Sequence, residues 1–147
     1  MLLSVGIVVA GCSESYTPLT RAIAKEELIG VWRPTPESKA FLAREKIPFS
    51  DETLKLELRA NGSFDLPGIP DCWLAPFGDC HGTVLNVSGT WSTYQEKEGT
   101  PSRLHLLIEQ GAPRVRVSLP LANTGSSISI PFVFGDADSD RAIIFQK

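Results

Sequence analysis

Alternation of apolar and polar residues at period two limits this chain more than any other feature, because it recurs along most of the length and a helix has no use for it. Leu54, Leu56 and Leu58 alternate with Lys55, Glu57 and Arg59, and Leu85, Val87 and Trp91 alternate with Asn86, Ser88 and Thr90. The same pattern returns at Leu104, Leu106 and Ile108, at Val115, Val117 and Leu119, and at Ile128, Ile130, Phe132 and Phe134. In a strand, side chains two apart share a face, so each segment presents one dry face and one wet face. Strands are accordingly predicted over 28–32, 53–59, 63–66, 83–95, 103–110, 114–119, 126–134 and 142–146. One exception is the stretch from Glu37 to Lys46, which predicts a short helix with Phe41 and Leu42 facing inward.

The connections are as informative as the strands. Asn61-Gly62 between two such segments is a strong hairpin signal, Gly89 inside the longest segment marks a bend or bulge, and Gly135 to Asp140 reads as a turn. About eight short strands joined by hairpin-length turns predict an all-β fold, an antiparallel up-and-down barrel closed on itself, with a two-sheet sandwich as the alternative. A barrel of that size has an interior that side chains fill or that holds one small ligand.

The first eleven residues, Met1 to Gly11, are apolar or small almost without interruption. They are too few to span a bilayer, which takes about 20 residues, but match the apolar region of an export signal. The run ends in Val9-Ala10-Gly11-Cys12, which resembles the bacterial lipobox. That resemblance implies a leader over 1–11 removed before Cys12, a lipid on the Cys12 thiol and its new amine, and a polar tether over 12–26. It places the domain of 27–147 in the cell envelope, held to the membrane by lipid and, by default, at the outer membrane facing the periplasm or the cell surface. The triplet Gly30-Val31-Trp32 resembles the G-x-W signature of lipocalin-like barrels, and Gly89-Thr90-Trp91 repeats its shape. Together these features resemble the small bacterial lipoproteins with lipocalin-like domains.

After such processing about 135 residues remain, enough for one self-sufficient core and crowded for two. The net charge of -3, with 21% charged residues, supplies no field for gathering phosphate backbones, so a nucleic acid partner is not expected. With Cys12 lipidated, Cys72 and Cys80 are left as a natural disulfide pair in a compartment that permits one. Their spacing lacks the paired C-x-x-C of a zinc site, and no metal or cofactor is expected.

Within the long Pro- and Gly-rich stretch of 67–82, Trp73, Leu74 and Phe77 are the candidate binding residues. Large apolar side chains in a closed loop suit a recognition surface or a cavity lid, and they suit equally a plug in the barrel's own end. Asp136, Asp138 and Asp140 superficially match a calcium loop but lack its glycine and its closing glutamate, so they read as a turn. His105 and the Arg103, Arg114 and Arg116 group read as the solvated face of their strands, with a basic stripe for an anionic partner as the sharper reading. No nucleophile elbow or phosphate loop is present. The expectation is a non-catalytic module that contacts a protein partner or a small apolar ligand, with a purely structural role or a concealed hydrolase as alternatives.

Overall fold

A computed structural model describes residues 17–74, 80–124, 126–133 and 142–147. Ten strands form one antiparallel sheet that curls into a nearly closed barrel. In chain order they are β1 (Thr17–Pro18), β2 (Gly30–Pro34), β3 (Leu56–Leu58), β4 (Ser63–Pro70), β5 (Val84–Tyr94), β6 (Arg103–Gln110), β7 (Val115–Pro120), β8 (Ala122–Thr124), β9 (Ser127–Val133) and β10 (Ala142–Gln146). Two helices accompany them, α1 (Lys25–Leu28) and α2 (Pro36–Arg44). The meander β2 to β7 runs neighbour to neighbour, β8 to β10 does the same, and β10 returns to pair with β2. Strands β7 and β8 are separated only by Leu121, so they act as one strand bent there, bonded to β6 before the bend and to β9 after it. Counted that way, β2 to β10 are the eight strands of an up-and-down barrel, and β1 is an added strand at the seam.

Alternation sets the inward face as expected. Leu56, Leu58, Phe64, Leu66, Leu104, Leu106, Ile108, Phe132 and Phe145 are all buried in one cluster. Each large apolar side chain so buried contributes about 1.5–3 kcal/mol. Strand β7 loses its inward face toward its start: Leu119 is buried, Val117 is half-buried and Val115 is exposed, because there β7 pairs with β6 alone among the described strands.

The boundaries shift where prolines and turns intervene. Strand β4 runs on to Pro70, into the expected loop, although it carries Pro67 and Pro70. Beyond Asp65 it pairs with β5 and no longer with β3, so a missing N–H on its other side breaks no ladder bond. The hairpin at Asn61-Gly62 is present with a three-residue loop, in which the Gly62 N–H donates to the Arg59 carbonyl at 3.0 Å and Gly62 takes a φ of 86°. Gly89 does sit at a register shift in β5. A Cβ there would lie 1.9 Å from the Leu107 carbonyl oxygen, so the strands meet only because it has none. Leu28 ends α1 instead of starting a strand, and accepts a hydrogen bond from Trp32 Nε1 through its carbonyl, 2.8 Å.

Helix α2 fills the long connection between β2 and β3. Thr35 caps it, accepting from the Ser38 N–H at 3.2 Å, Pro36 sits in its first turn, and Phe41 and Leu42 reach the core as predicted. Where β2 leaves β10, this cap supplies the missing partners: the Thr35 N–H donates to the Ile144 carbonyl and the Ile144 N–H to Ser38 Oγ, both at 2.9 Å.

Residues 17–26, expected as the second half of a tether, are built into the barrel. Leu19 is buried, its N–H donates to the Leu121 carbonyl at 2.9 Å, and its carbonyl accepts from the Ser102 N–H at 2.7 Å. The Leu121 N–H donates to the Ser102 carbonyl at 3.0 Å, closing a triangle of three segments. Polar neighbours hide Leu19 in the sequence, and its partner lies a hundred residues away. Cys12 and the expected leader over 1–11 lie outside the described residues.

Candidate functional site

The stretch singled out in the sequence begins where β4 ends. A single turn of 3-10 helix, Asp71–Trp73, swings the chain back over the barrel. Cys72 and Cys80 are bonded to each other, with Cα atoms 4.3 Å apart. The base of this loop is tied a second time, since both carboxylate oxygens of Asp71 accept from the His81 N–H, at 3.1 and 3.0 Å, and the Asp71 N–H donates to the Thr83 carbonyl at 3.0 Å. Asp71 with the two sulfurs is the one compact metal-capable group among the described residues, and its sulfurs are engaged with each other.

Trp73 is turned inward. Its ring is 5% exposed, stacks on Phe132 with centroids 4.7 Å apart, and meets Phe145 edge-on at 6.2 Å. Both phenylalanines belong to inward positions of β9 and β10. The side chain therefore occupies the barrel's interior, the plugging arrangement weighed against recognition in the sequence. Leu74 is half-buried against the same cluster. Phe77, the third candidate, lies outside the described residues, as do Asp136, Asp138 and Asp140.

The outer surface carries more polar structure than the sequence suggested. One groove, of about 350 Å³, runs over β5, β6 and β7 between Tyr94, His105 and Arg116. Tyr94 stacks on His105, 5.1 Å between centroids and 18° between planes. Burial first, then the nearby Arg116 and Arg103 guanidinium groups, push the His105 ring below its usual pKa, which favours its neutral form. A second groove, of about 250 Å³, lies beside Arg59, which is ion-paired to both Glu57 and Asp65. A third, of about 420 Å³, lies at the rim between Glu27, Trp32, Ile128 and Lys147.

The outward placing of Tyr94 and His105 follows from alternation, and the register brings them together. Once Trp91 and Leu106 are set inward, Ser92 and Tyr94 must point outward, and the register pairs Ser92 with His105 and Tyr94 with Arg103. Tyr94 and His105 are thus diagonal neighbours on one face. No protein-family model, no curated protein and no solved structure matches this chain.

Proposed function

We propose that this protein is a non-catalytic, lipid-anchored module of the cell envelope that meets its partner on its outer surface and not through a ligand held inside the barrel. One observation carries the second half of that reading: the buried Trp73 ring stacks on Phe132 and meets Phe145 edge-on, filling space inside the barrel. A small apolar ligand would have to displace an indole ring that buries much of its surface there, at a cost of several kcal/mol. The anchoring half rests on the sequence Val9-Ala10-Gly11-Cys12. Two or more acyl chains at Cys12 hold a domain permanently, whereas one gives marginal binding.

Mass spectrometry of the native protein tests the anchor: an N-terminal fragment beginning at Cys12 and carrying acyl mass supports it, and a retained Met1 leader without acyl mass overturns it. Fluorescence of an apolar dye tests the plug. The native protein is expected to leave the dye dark and the Trp73→Ala variant to take it up, while uptake by the native barrel would restore an internal ligand.

A further inference from the structure

We propose that the open edge of β7, from Arg114 to Ser118, takes up an extended acidic segment of a partner protein as one more antiparallel strand, its acidic side chains set against Arg114 and Arg116. The inference rests on the outer-surface reading above, names the kind of partner, and is independent of the lipid. It starts from the backbone. The Leu121 N–H donates to the Ser102 carbonyl, so in the unbroken register that follows, the hydrogen-bonded pairs are Leu104 with Leu119, Leu106 with Val117 and Ile108 with Val115. Arg116 and Ser118, lying between them, turn their N–H and C=O groups away from β6, to a side where no described strand pairs with them. The Arg103 guanidinium covers the Ser118 carbonyl at 3.1 Å, which leaves both backbone groups of Arg116 and the Ser118 N–H for an added strand.

Strand β9 stops short of this edge for a reason written in the sequence. Its ladder with β8 ends at Ala122 with Ser129, and two positions further on Pro120 would stand opposite Pro131, neither of which has an N–H to give. Pro113 bounds the edge at its other end. The opening is therefore about five residues long, enough for a short augmenting strand.

Side chains say what that strand carries. Arg114 and Arg116 are exposed, and among the described residues neither they nor Arg103 have a carboxylate within salt-bridge distance. Around the sheet Arg59 shows the contrary arrangement, paired with two carboxylates at once. An incoming residue that exchanges both backbone bonds with Arg116 has its Cα about 5.5 Å away and its side chain on the same face, within reach of the guanidinium. The residue two places on stands likewise opposite Arg114, and the one between them falls against exposed Val115. The edge thus reads an acidic, apolar, acidic alternation. A second copy of β7 would set arginine against arginine, and two or three cations fall well short of the row of phosphate contacts that holds a nucleic acid.

The test uses the full-length protein in non-ionic detergent and the capped peptide Ser-Thr-Val-Glu-Val-Glu-Ser, followed by calorimetry and by amide hydrogen exchange in NMR. A dissociation constant of about 0.1 mM is expected, and at about 1 mM peptide the Arg116 N–H should exchange about tenfold more slowly, while Val117, already bonded to β6, changes little. The same peptide with lysine for glutamate should not bind, nor should one N-methylated at both glutamates, which keeps the charge and removes the backbone donors. The double variant Arg114→Glu, Arg116→Glu should exchange the preference for the lysine peptide, and Arg33→Ala, five strands along the sheet, should change nothing. Equal binding of the N-methylated or lysine peptide, tighter binding of a single-stranded oligonucleotide, or an unaltered preference in a double variant of native melting temperature would each overturn the proposal. So would an Arg116 N–H protected without peptide, whether protection grows with protein concentration, which assigns the edge to a second copy, or is lost on replacing Asp136, Asp138 and Asp140 by asparagine, which assigns it to the chain's own aspartates. None of these results alters the acylation or dye measurements, so the two readings fail separately.

Discussion

The meander from β3 to β6 and the seam where the barrel closes are built by opposite means. In the meander each strand meets the next in sequence, and β5 pairs with β6 over seven positions from Ser88–Gln110 to Tyr94–Arg103. In the seam, β1 has two residues, and closure is completed by single hydrogen bonds among Leu19, Ser102 and Leu121. The lesson is that closing a barrel does not require a full ladder. A few buried backbone bonds suffice when apolar side chains shield them from water, since an unpaired buried group would cost about 1–3 kcal/mol.

The comparison is broken hardest in the meander. Leu106→Ala removes a fully buried side chain between Trp91 and Val117 and should destabilise the protein by about 4 kcal/mol, lowering amide protection throughout when followed by hydrogen exchange. Leu19→Ala should cost about 3 kcal/mol and act locally, with faster exchange at Ser102 and Leu121 while β4 to β6 keep their protection. If both variants loosen the whole barrel alike, seam and meander are one cooperative unit and the distinction fails.

Between these lies the stapled loop. Replacing Cys72 and Cys80 together by serine should cost about 2–3 kcal/mol in denaturant titration, from chain entropy alone. Ser102→Ala removes the bond from Ser102 Oγ to the Arg21 carbonyl, 2.6 Å, and should cost about 1 kcal/mol while keeping the backbone triangle.

The smallest effect is the one pH reveals. Arg21, and then the Ala24 N–H, hold the Glu27 carboxyl down to about 2 from its ordinary 4.5. A depressed carboxyl gives its full contribution above pH 4.5 and loses it as pH falls toward 2. Thermal melts of Glu27→Gln should therefore fall less steeply than wild type across that window, and an equal slope would show the pair to be idle.

The same contrast explains what the sequence disclosed. Leu104, Leu106 and Ile108 declare their face by spacing alone, and Asn61-Gly62 declares the turn that sets the next register, so the barrel class was legible from neighbouring residues. Leu19 was not, because one apolar residue among polar ones has no period, and its meaning lies in Leu121. Trp73 was ambiguous for a different reason: a tryptophan in a cysteine loop suits an exposed hot spot and an interior plug equally, and only its distance to Phe132 separates them. His105 was assigned correctly to the outward face, yet its partner Tyr94 and the unbalanced Arg103 and Arg116 emerge only with the register of three strands. Leu74 remains on the boundary, half-buried beside the plug.

Because the first described strand is also the seam, any pull on the chain ahead of Thr17 is delivered straight to the place where the cylinder is fastened. The load falls on Leu19, Ser102 and Leu121 before it reaches a single hairpin. Such a joint gives way like a zip fastener at its end stop, so under tension the N-terminal segment should peel free first, leaving the remaining strands standing.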